Sequence, residues 1–103
     1  MEQNLLETVV SVTEERARKT LLPLKGGQVK VTTMVRAAIK GTDLRWTTYE
    51  GRLNRVGTED FEIEGRVTKA RHLQPPYPEG KFLLRLEDVR ELVHGDTVTI
   101  VKS

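Results

Sequence analysis

The chain has 103 residues, and 17 Lys and Arg against 15 Asp and Glu leave a formal net charge of +2. That length bounds it to one domain with a modest core, burying roughly 65% of the unfolded surface, so association with copies of itself would add to what it can enclose alone. The absence of cysteine excludes a disulfide framework, a thiolate nucleophile and a cysteine-based zinc site.

No apolar run approaches the roughly 20 residues of a membrane helix, and Met1-Glu2-Gln3-Asn4 lacks the basic flank and apolar run of a leader peptide. The expectation is a cytoplasmic protein with no membrane partner. With charge so nearly balanced, any basic patch has to arise by segregation in space.

The first pattern predicts a helix over residues 4–22. Asn4 suits an N-cap and Glu7 stands three residues on, a variant of the capping box. Leu6, Val9, Val10, Thr13, Ala17 and Leu21 recur at three to four residues and form one stripe, although the β-branched run Thr8 to Thr13 would also suit a strand. Pro23 and Gly26-Gly27 end the element. Gln28 to Arg36 then alternates, with Val29, Val31, Thr33 and Val35 on one face and Lys30, Thr32, Met34 and Arg36 on the other, as a half-buried strand does. Lys40-Gly41-Thr42-Asp43 has a turn composition.

The stretch from Leu44 to Leu86 organises the rest. Gly51 interrupts a run of strand formers from Trp46 to Leu53 and marks a bulge or a sharp bend. A polar turn, Asn54 to Glu59, leads to a strand with Phe61, Ile63 and Gly65 on one face. Arg66 to Lys81 is irregular, with three prolines, and collects Arg66, Lys69, Arg71, His72, Tyr77 and Lys81. It reads either as a solvated connection or as a basic loop with one aromatic, suited to phosphate contact and base stacking through Lys69, Arg71 and Tyr77. Phe82, Leu84 and Leu86 alternate again, Glu87-Asp88-Val89 and Val93-His94-Gly95-Asp96 read as turns, and Thr97 to Val101 is the last strand. Leu53, Phe61, Ile63, Leu84, Leu86, Val98 and Ile100 form the expected core. Long bent strands with short connections add up to a mainly β chain with an N-terminal α-helix: a small five-stranded bent antiparallel barrel over residues 28–101.

Nothing in the sequence assembles a catalytic group. His72 and His94 have no partner at metal-ligand or acid–base spacing, and Ser11 and Ser103 have no nucleophile-elbow context. No enzyme activity, metal or cofactor is expected.

The order of elements, the segment Tyr49-Glu50-Gly51-Arg52-Leu53, Asp60-Phe61 at the next strand's start, and Val93-His94-Gly95-Asp96 before the final strand together resemble the Sm-like family, which includes the Sm and LSm proteins and the bacterial Hfq RNA chaperone. The resemblance implies a single Sm-like domain, 1–103, in which the helix at 4–22 precedes a five-stranded Sm-like or SH3-like barrel at 28–101, whose outer edges near Phe82–Leu86 and Thr97–Val101 pair between subunits in a hexameric or heptameric homo-oligomer. It further implies single-stranded RNA at loops carrying Arg55, Asp60, Phe61, His94 and Gly95. The asparagine that follows the family's motif aspartate has no counterpart here; Glu62 and Glu64 stand nearby. That departure and the near-neutral charge favour an alternative, an SH3-like or PRC-type barrel that contacts proteins and binds no nucleic acid. The fourth strand either stops at Leu86 or runs on to Val93.

Overall fold

A computed structural model of the chain describes residues 12–36, 44–71 and 73–102. It is mainly β with one N-terminal helix, α1 (Val12–Leu21), followed by β1 (Gln28–Arg36), β2 (Leu44–Val56), β3 (Asp60–Ala70), β4 (Glu79–Arg85), β5 (Val89–His94) and β6 (Thr97–Ile100). Short 3₁₀ turns, Leu22–Leu24 and Leu86–Asp88, follow α1 and β4. The expected helical stretch over 4–11 with its Asn4 cap, the turn at 40–43, and His72 lie outside the described residues.

The strands form one antiparallel sheet in the order β4-β3-β2-β1-β5-β6. There are six, where five were expected, and the sheet is open, with β4 and β6 at its edges and unpaired with each other. The extra strand settles the fourth-strand register. Both turn signals are used: Leu86–Asp88 closes as a 3₁₀ turn, and Val89–His94 becomes a separate strand paired with β1. Val89 and Leu92 are buried in it, which gives that segment its own reason to be a strand. β3 also runs on to Ala70, because Val67 and Ala70 continue its buried face and the proline-rich connection begins only after them.

The core is built from Val29, Val31, Leu53, Phe61, Ile63, Leu86, Val89, Leu92 and Val101 of the sheet side, with Ala17 and Leu21 of α1 packed onto it. Four of the expected core residues, Leu53, Phe61, Ile63 and Leu86, are fully buried, while Leu84 on the edge strand is half-buried. Val98 and Ile100 are corrections: each is 56% exposed. The two-residue turn Gly95-Asp96, with Gly95 at φ +61, sets Val98 opposite Val93 and Ile100 opposite Glu91, on the outer face. A hairpin's turn fixes its register, and a register fixes which face every side chain takes. Val101, just past the strand, occupies the core position instead.

α1 lies against the Leu86–Asp88 turn and closes the open end of the core. Its Arg18 Nη1 donates to the Thr58 carbonyl at 2.7 Å, and its Arg16 Nη1 donates to the Val101 carbonyl at 3.2 Å. The helix therefore ties the β2–β3 hairpin to the end of β6. Among the described residues no helix is long and apolar enough to cross a membrane.

Gly51 lies where two paired strands approach closely. It sits opposite Gly65, which sits opposite Gly80, so a row of three glycines crosses β2, β3 and β4 on the inner face. A Cβ on Gly51 would lie 2.7 Å from Gly65 Cα and press on the Glu64 carbonyl; a Cβ on Gly65 would lie 2.6 Å from Gly51 Cα. Two backbones approach here with no room for a side chain between them.

Gly51→Ala and Gly65→Ala are each expected to lower stability by about 1–3 kcal/mol or more, read from urea unfolding; an unchanged midpoint would show that the strands can separate at no cost. Phe61→Ala is expected to cost about 3–5 kcal/mol, and a loss below about 1 kcal/mol would contradict its place in the core.

Candidate functional site

The alternation that buries Val29, Val31 and Thr33 of β1 and Thr47 of β2 turns Lys30, Thr32, Trp46 and Thr48 onto the sheet's outer face. Thr32 and Thr48 are cross-strand partners, their hydroxyl oxygens 2.9 Å apart. On β3 the register shifts opposite Thr48 and Tyr49, so Thr68 is the extra residue and Lys69 pairs with Thr48. Thr68 Oγ1 donates to the Thr48 carbonyl at 3.4 Å. The Arg71 backbone N–H donates to the Trp46 carbonyl at 3.0 Å, which holds Arg71 beside the tryptophan as β3 ends. These residues line a cleft of about 770 Å³, bounded across β5 by Glu91 and Val93. Trp46 remains 36% exposed in it.

Some of the chain's cations are ion-paired and others are not. Arg55 pairs with Asp60 at 3.4 Å, Arg66 with Glu50 at 3.9 Å and Arg85 with Glu87 at 2.7 Å. Among the described residues no carboxylate lies within ion-pairing distance of Lys30, Lys69 or Arg71, although Glu91 shares the cleft.

The residues singled out from sequence fall into separate places. Lys69 and Arg71 meet in the cleft, and Tyr77 lines a neighbouring hollow with Arg66 and Thr68. Arg55 and Asp60 pair with each other at the β2–β3 hairpin, where the Gly57 N–H also donates to the Asp60 carbonyl at 2.7 Å. His94 and Gly95 are exposed at the β5–β6 turn. The loop that adjoins the β2–β3 hairpin is instead Leu86–Asp88, since the Leu86 N–H donates to the Glu59 carbonyl at 2.9 Å. Phe61 is a correction: it is fully buried, so its ring packs in the core and offers no stacking surface. Trp46 and Lys30 were missed. The signal was present, since Trp46, Thr48, Glu50 and Arg52 share the wet phase of β2, and a tryptophan there is an exception to be explained.

Two polar groups of the inner and turn regions are perturbed. Burial raises the Tyr49 hydroxyl above its ordinary 10.0, partly offset by hydrogen bonds to Thr47 and Thr33, and its ring stands 5.0 Å from Phe82, tilted by 57°. Asp88 is raised above 3.8, first by burial and then by Glu87, against the pull of Arg85 and Arg90. Among the described residues no group of three or more His, Asp or Glu is arranged to hold a metal.

Compared with protein-family models, curated proteins and solved structures, the chain has no match.

Asp88 gives a pH prediction. A carboxyl whose folded pKa is raised binds more protons in the folded state, so its contribution to stability is complete below 3.8 and is lost as pH rises through the folded value. Asp88→Asn is expected to melt above the unsubstituted protein at pH 7 and to lose that advantage as pH falls below about 4. Equal melting at pH 7 would show that Arg85 and Arg90 compensate the buried charge fully.

Proposed function

We propose that the chain is a non-catalytic, Sm-like β-module that assembles with copies of itself into a closed ring of six or seven and binds single-stranded RNA. The observation that carries the assembly is the pair of open edges. β4 and β6 end the strand order, and they expose Leu83 at 62%, Val98 at 56% and Ile100 at 56%. β6 holds no charge and no proline, the devices that usually blunt a free edge. Pairing β4 of one subunit with β6 of the next would extend the sheet head to tail, satisfy main-chain groups on both edges, and close by rotation. The long second strand with its close approach of Gly51 to Gly65, and the leading helix, support the family reading. The RNA half is supported by the cleft that brings Lys30, Lys69 and Arg71 together beside the exposed Trp46.

A second reading has its own observation in favour. At the β2–β3 hairpin the cations are engaged within the chain, Arg55 by Asp60 and Arg85 by Glu87. A module that adds a partner protein's strand to its β4 or β6 edge uses the same exposed aliphatic residues and needs no free cation.

Light scattering at micromolar concentration is expected to give the mass of a closed ring, and Val98→Pro is expected to reduce it to monomers by removing an edge donor. A monomeric unsubstituted protein overturns the ring. Filter binding of a short uridine-rich RNA at two salt concentrations is expected to show a salt-dependent affinity; no binding at low salt favours the protein-contact module.

A further inference from the structure

We infer that the outer sheet face at Trp46 seats a single-stranded polynucleotide, with one base stacked on the indole and the neighbouring phosphates held by Lys30, Lys69 and Arg71. This rests on the RNA half of the reading above and is independent of the ring.

The starting point is the cost of the arrangement. Trp46 is 36% exposed on the wet face of a long strand, where a threonine would suffice for the fold. A large ring held by a rigid strand, open on one side, is a stacking platform that loses little entropy on binding. Around it three cations come from separate positions of the sheet. Lys30 is on β1 opposite Glu50, Lys69 is on β3 opposite Thr48, and Arg71 is tied beside Trp46 by its backbone hydrogen bond. Lys30 faces Glu50 and Lys69 faces Thr48, so with strands about 4.8 Å apart and a rise of about 3.4 Å per residue the two flank β2 at roughly 12 Å, and the indole lies further along β2, beyond Thr48 and beside Arg71. None of the three is neutralised by an ion pair among the described residues, whereas Arg55, Arg66 and Arg85 each are. The floor between them is Thr32, Thr48 and Thr68, short side chains on which a flexible backbone can lie flat.

The combination selects the ligand. Free cations alone would accept any polyanion, an acidic peptide included. The exposed indole adds a requirement for a flat ring with both faces available, which an acidic peptide does not supply and a duplex hides in its stack. Glu91 lies diagonal to Lys30 across β1 and β5 and repels anions there, which makes the Lys69 and Arg71 side the more favourable place for phosphates.

Trp46 is the sole tryptophan of the chain, so its emission reports this site alone. The full chain is titrated with a 12-nucleotide oligouridylate, followed by intrinsic fluorescence and, in parallel, by filter binding. Emission is expected to quench with the same midpoint as filter retention. Trp46→Ala is expected to weaken binding roughly 5- to 150-fold, the range for loss of one stacked base. Trp46→Phe, which keeps a ring, weakens it less and melts as the unsubstituted protein does, which separates stacking from folding. Lys30→Ala and Arg71→Ala each lower the slope of log affinity against log salt by about 0.7. RNA retained on the filter with unchanged emission, and bound equally by Trp46→Ala, overturns this face while leaving the RNA reading standing. Absence of retention at low salt overturns the RNA reading and this site with it. Equal affinity for a duplex of the same sequence, or displacement of the RNA by oligoglutamate at equal charge, overturns the assignment to a single strand.

Discussion

The structure depends on the contact between Gly51 and Gly65. β2 is 13 residues long and β3 is 11, and together they carry much of the core. On the inner face the row Tyr49, Gly51, Leu53 meets the row Val67, Gly65, Ile63, so a gap without side chains lies between two apolar layers. A Cβ at either glycine would strike the backbone of the strand paired beside it, so neither position accepts a side chain without a shift of the strands. α1 adds Ala17 and Leu21 to the same core.

The outer face differs on the two sides of the glycine row. On one side stand Lys30, Lys69 and Arg71 with Trp46. On the other, Asn54 Nδ2 donates to Glu62 Oε2 and to Glu64 Oε1, both at 3.0 Å, drawing two carboxylates together. Those glutamates stand near the place where the Sm-like resemblance leads one to look for a base-holding asparagine. An acidic pair there disfavours phosphate, and the basic cleft lies beyond the glycine row, on the adjoining half of β2 and β3.

The C-terminal hairpin decides which edges remain open. β5 pairs with β1 on one side and with β6 on the other, so the edge that would otherwise end at β5 is carried one strand outward. β6 brings Val98 and Ile100 to the outer face beside Val93, while Val101 anchors its end in the core. A short, uncharged strand with aliphatic residues facing out and a buried anchor behind it is held in place yet incompletely covered, the condition in which strand addition is favourable.

Much of the local structure was legible in the sequence. Period-2 alternation identified β1, β2 and the start of β3 and assigned Leu53, Phe61 and Ile63 to the core, since alternation and burial express the same geometry. Gly51 stood out among strand formers, and the structure places a close backbone approach there, with register shifts on either side between Thr48 and Tyr49 and between Leu53 and Arg55. Its partner Gly65 could not be read in that way, because which glycine faces another is a matter of register across a hairpin whose bulge falls between Leu53 and Arg55. The same applies to β6: Thr97 to Ile100 alternates whichever face is buried, and only the two-residue turn at Gly95-Asp96 put Val98 and Ile100 outside. The cleft was less legible still. Its parts lie at positions 30, 46, 69 and 71, each unremarkable alone, and they meet because three antiparallel strands and one bulge bring them to a common face. Sequence by itself determined which residues prefer strand, turn and core, because those preferences are local; the tertiary structure decided which of them stand opposite one another, because pairing across strands is set by register and bending over distances that no local pattern records.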